Sequence, residues 1–139
     1  MADSHLIAEQ VELLMITGML RRNKFIHKMS IPSKFKLGTG HMTFWFDKLL
    51  YLQRRLSAVK IEINRRKFKV MERDIILDGF PEKYINEWSP TLEDSLIVRQ
   101  RIGEKILKKP HKFWRYESKY IEAVEAFVSN IKNGELFIV

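Results

Sequence analysis

The block Leu37-Gly38-Thr39-Gly40-His41 holds the residues best placed to do chemistry. Glycines two apart let the backbone turn sharply just before a helix starts. A helix start exposes free N–H groups and the positive end of the helix dipole, so such a turn is a natural phosphate seat. The other reading is a plain loop-to-helix turn, where glycine is common. A second stretch interleaves aromatic and basic side chains: His111, Lys112, Phe113, Trp114, Arg115, Tyr116, Lys119 and Tyr120. Its rings can stack on an unpaired base or pack a core. His5 and Glu9 share one helical face. Four scattered histidines and no cysteine do not make a metal-ligand set, so no metal or other cofactor is expected.

The elements that must carry these residues read as helical. The chain has 139 residues, enough for one domain with a real core. Hydrophobic residues make up 45 %, which separates it from disordered sequences. No apolar run is long enough to span a bilayer and no leader is visible, so a membrane is not an expected partner. The absence of cysteine excludes disulfides and fits a cytoplasmic setting. The formal charge of +8 favours polyanions, chiefly nucleic acid.

A first helix runs to about Arg21, with Asp3 and Ser4 as capping candidates and Leu6, Val11, Leu14, Met19 and Leu20 along its apolar side. Asn23 to Ile31 is polar and basic, reads as a loop, and ends at Pro32. A second helix is predicted from near Gly40 to about Arg66, with Met42, Phe46, Leu49, Leu52, Leu56, Val59 and Ile63 as its buried stripe. Arg54, Arg55, Arg65 and Arg66 sit off that stripe. Lys67 to Pro90 reads as connection, with a short helical turn near Glu82. Thr91 and Asp94 form a capping-box-like start for a third helix, which runs to about Lys109 and stops at Pro110. A final helix is predicted over Ser118 to Asn133, with Ile121, Val124 and Val128 inward. No repeat or composition shift marks a second domain, so residues 1–139 read as one.

The order of these features resembles the pyrimidine-dimer DNA glycosylase family of phage endonuclease V, ultraviolet-repair enzymes with abasic-site lyase activity. Three blocks carry the resemblance: Ala2 to Glu9 followed by Glu12-Leu13; Ile31-Pro32 through Arg55; and Arg101, Glu104-Lys105-Ile106, Pro110 and the aromatic cluster. The resemblance implies a compact all-α bundle of three main helices, to which residues 122–139 add a C-terminal helical extension. It also implies a kinked DNA complex with one base flipped out of the stack. In the family an N-terminal amine attacks C1′ of the damaged sugar, a Schiff base forms, and a glutamate on the first helix assists.

Carried over residue by residue, that glutamate falls on Glu12, while His5 and Glu9 match polar positions near the site. Tyr116 and His5 are candidates for base contact. Arg21 and Arg22 match the basic end of the first helix, and Arg101 and Lys105 match a pair that approaches phosphates. Lys108, Lys109, Lys112 and Arg115 extend that surface, and Gly38, Gly40 and His41 complete the DNA-binding set. Two family arginines beside the glutamate fall here on Val11 and Met15. The family's catalytic threonine precedes the first helix, whereas this sequence opens on that helix. Ala2 lies about 15 Å from Glu12 along it.

The resulting expectation is a duplex-DNA-binding protein of a bacteriophage-type family, acting in the cytoplasm, that of the host cell if a phage encodes it. Its amine-based glycosylase and lyase chemistry is expected to be lost or altered. Two alternatives stand beside it. One is an active DNA-repair glycosylase and lyase using Glu12. The other is a protein-interaction module that meets a partner or dimer mate through residues 122–139.

Overall fold

The computed structural model describes residues 1–23, 31–109 and 113–136. It is mostly helical, in agreement with the all-α expectation. Three long helices dominate: α1 (Asp3–Arg22), α3 (Leu49–Arg65) and α4 (Leu92–Leu107). A short α2 (His41–Phe44) precedes α3, and α5 (Val124–Lys132) packs on α4. Among the described residues the only strands are β1 (Arg115–Tyr116) and β2 (Lys119–Tyr120), an antiparallel hairpin.

The α3 stripe buries as its period predicts: Leu49, Leu52, Leu56, Val59 and Ile63 all face the core. They meet Leu6, Leu13, Leu14, Ile16 and Leu20 of α1. A second cluster joins Ile106 of α4 to Phe127, Val128 and Ile131 of α5, with Ala2 and Trp114. Ile102 packs against both clusters, so α4 ties the halves together. Met1 and Ala2, adjacent in sequence, are buried in different clusters. The α4 start carries the capping box in full, with reciprocal bonds between Thr91 and Asp94 at 2.8 and 3.1 Å.

Four expectations are corrected. The predicted second helix is not continuous. A tight 3-10 turn occupies Trp45–Asp47, and Lys48 (φ −129°) leaves the helical region before α3 begins. The break turns Phe44 inward together with Phe46. Phe44 then joins an aromatic cluster with Phe35, Trp45 and Trp88. The final helix starts at Val124 rather than Ser118, because Glu117 and Ser118 take positive φ values of 50° and 68° and close the hairpin instead. At α1 the N-cap is Ala2, without a side-chain cap. Asp3 lies inside the helix, buried, and its carboxylate is spent on the distant hairpin. Val11, expected on the apolar side of α1, is 41 % exposed.

Candidate nucleic-acid interface

Gly38 (φ 82°) and Gly40 (φ 85°) both require the left-handed region that glycine supplies. Gly40 is the N-cap of α2, and a side chain there would meet Lys36 Cε at 2.8 Å and Pro32 Cγ at 3.1 Å. The turn is closed by its own amides: His41 N–H donates to the Gly38 carbonyl and Phe44 N–H to that of Gly40, both at 3.0 Å. His41 Nδ1 lies 3.1 Å from the Lys36 carbonyl, and its ring meets Phe35 and Trp45 edge-on.

Tertiary structure brings this turn to α4. A surface cleft of about 470 Å³ is lined by Leu37, Gly38, Ile97, Gln100, Arg101 and Glu104. Gly38 and Arg101, 63 positions apart, thus share one concavity. Arg101 and Lys105 lie one turn apart on the exposed side of α4, and Lys108 and Lys109 continue in the same direction. Lys112 falls outside the described residues. Phosphate recognition needs only positive charge within reach, which this exposed row supplies.

The other basic candidates sit differently. Arg21 is tied to the 76–80 loop, donating to the Ile76 carbonyl at 3.0 Å with its guanidinium 4.3 Å from the Phe80 ring. Arg22 is exposed at the end of α1. Arg115 lies over the Tyr120 ring at 4.6 Å and donates to its hydroxyl at 2.7 Å. Phe113, 81 % exposed, meets Tyr120 edge-on. Tyr116 lies beneath Arg66 at 4.4 Å and against Phe127. His5 is half-buried against Trp114, whose indole N–H donates to the Lys109 carbonyl at 3.0 Å. Hydrophobicity does not separate the exposed Phe113 and Tyr120 from the buried Trp114 of the same stretch.

Glu12 is exposed on α1 beside Val11 (41 %) and Met15 (49 %). Glu9, one turn earlier, is taken up by Arg55 at 2.6 and 3.2 Å. Burial would lower the Arg55 pKa, but the Glu9 charge and hydrogen bond outweigh it, and the net direction is upward. The Met1 amine is elsewhere. It donates to the Leu136 carbonyl in a residue only 2 % exposed. Burial, reinforced by the Arg66 charge, lowers its pKa from 8.0 to about 5. Glu62 nearby is held at about 2 by hydrogen bonds from Arg65 and Arg66 against the opposing effect of burial.

Arg66 was not singled out as functional by its sequence context, yet it is the hub of this corner. Its Nη1 donates to Asp3 and to the Met1 carbonyl, each at 3.0 Å, and its Nε to Glu62 at 2.7 Å. Among the described residues no cluster of histidine and carboxylate groups could hold a metal, and no helix is long and apolar enough to cross a membrane.

The comparison with protein families agrees with this architecture. The family model described as pyrimidine dimer DNA glycosylase matches residues 1–76, more than half of the chain, covering α1, the glycine turn and α3. The chain belongs to the pyrimidine dimer DNA glycosylase family.

Proposed function

We propose that the chain binds duplex DNA through phosphate contacts and that the family's amine-based glycosylase and lyase chemistry is altered in it. The observation that carries the DNA reading is the cleft shared by Gly38 and Arg101, with Lys105 exposed one turn further along α4 and Lys108 and Lys109 exposed just beyond its end. The net charge of +8 adds long-range attraction to it. The test is binding to a duplex as a function of salt. Replacing Arg101 and Lys105 together by alanine should weaken binding and reduce the salt slope by about two. Unchanged affinity sinks the proposed face.

The altered-chemistry reading is supported by two placements. In a chain that retains Met1 as its first residue, the amine is enclosed and bonded to the Leu136 carbonyl. Glu12 is exposed beside Val11 and Met15, without charged neighbours at those positions. One observation favours the active enzyme instead: with a pKa of about 5 the amine is neutral at pH 7, the nucleophilic form. Borohydride trapping on ultraviolet-irradiated and abasic duplexes separates the two. No covalent complex is expected. A complex that disappears on N-terminal acetylation establishes the enzyme.

A further inference from the structure

The β1–β2 hairpin should not stand on its own. Each strand has two residues, and an isolated two-stranded hairpin is marginal in water. Its turn residues, Glu117 and Ser118, both adopt positive φ (50° and 68°), a geometry that selects Asn-Gly or similar pairs. Neither residue suits it. Something outside the hairpin must hold the turn.

Asp3 does so. Its Oδ1 accepts the Glu117 N–H at 2.9 Å and its Oδ2 accepts the Ser118 N–H at 2.8 Å. Two successive amides in such a turn form a concave anion seat, and here a carboxylate from the other end of the chain fills it. Arg66 fixes that carboxylate from behind at 3.0 Å, buried, and its guanidinium also covers Tyr116 of β1. Arg65 reaches across from α3 to Glu117 at 2.6 Å. What the latched hairpin presents outward is the exposed group Phe113, Arg115 and Tyr120, held together by ring contact, stacking and a hydrogen bond.

We propose that Asp3 is a positioning residue for nucleic-acid binding: it latches the 115–120 turn and so aims the exposed Phe113–Arg115–Tyr120 group. This rests on the DNA-binding reading above. The proposal makes a prediction opposite in sign to simple electrostatics. Removing a carboxylate from a DNA-binding protein ordinarily strengthens binding, since it raises the positive charge. Asp3→Asn keeps the shape but replaces one acceptor by an NH₂ donor, which cannot receive a turn amide.

The experiment measures duplex affinity and amide exchange together. Asp3→Asn should bind at least fivefold more weakly, with Glu117 and Ser118 amides exchanging faster while those of Leu56 and Val59 in the core stay protected. Glu125→Gln, which removes the same charge from an exposed site on α5, should bind as well as the parent or better. Adding Ser118→Gly to Asp3→Asn should restore part of the lost affinity, because glycine suits φ 68° without help. Unchanged exchange at Glu117 and Ser118 overturns the latch. Accelerated exchange with unchanged affinity overturns the positioning role. A parent chain with no affinity for duplex overturns the function reading, and the exchange pattern then decides the latch alone.

Discussion

Asp3 and Arg66 meet at 3.0 Å in a place where both side chains are almost wholly buried. The pair joins the first turn of α1 to the residue that caps the C-terminal end of α3. Breaking a buried pair by removing one partner leaves an uncompensated charge. Arg66→Ala removes the buried charge partner of Asp3 and one of the two arginines on Glu62, and should cost about 3–5 kcal/mol. Its neighbour Arg65 is solvent-exposed, and Arg65→Ala should cost far less. Urea unfolding of the two variants checks the ranking, and equal losses would contradict the buried-hub account.

Gly40 should be the less replaceable of the two turn glycines. Both have positive φ, which costs a side-chain-bearing residue about 1–2 kcal/mol. At Gly38 a Cβ would enter open space, whereas at Gly40 it would press on Pro32 and Lys36. Gly40→Ala should therefore destabilise more than Gly38→Ala, as read from denaturation midpoints.

Acidification should weaken the fold in two steps. The amine of a chain retaining Met1 has a folded pKa of about 5 against an ordinary 8.0. The unfolded chain thus binds more protons between those values, so stability falls as pH drops from 8 to 5. Glu62 is shifted down from 4.5 to about 2. Its contribution is complete above pH 4.5 and is lost as pH falls through 2. Melting temperature followed across pH checks both windows, and N-terminal acetylation should flatten the first alone.

Glu12→Gln should leave melting temperature unchanged and should not weaken duplex binding. Glu12 is exposed, and its removal takes a negative charge from a chain of net charge +8. Anisotropy titration with undamaged duplex measures this. A marked loss of affinity would give Glu12 a direct role in the complex.

The parts of this protein legible in its sequence are those governed by near neighbours. Spacings of three and four place Leu49, Leu52, Leu56, Val59 and Ile63 on one buried side because helical geometry is local. Thr91 and Asp94 announce the start of α4 because a capping box closes within one turn. The glycine turn and the family blocks are legible for the same reason. Contacts between distant segments are not. The break at Lys48 wins because it buries Phe44 as well as Phe46, a gain that helical periodicity does not register. The hairpin replaces the start of a predicted helix because Asp3, 114 positions earlier, supplies acceptors for the Glu117 and Ser118 amides, which at a helix start would have no partner within the helix. Which aromatic of the basic stretch faces water, and that Gly38 shares a cleft with Arg101, follow from how α1, α4 and the hairpin dock. Charge, helical period and family are written in the chain itself; the meeting of its two ends at Asp3 and Ser118 exists only once the chain has folded.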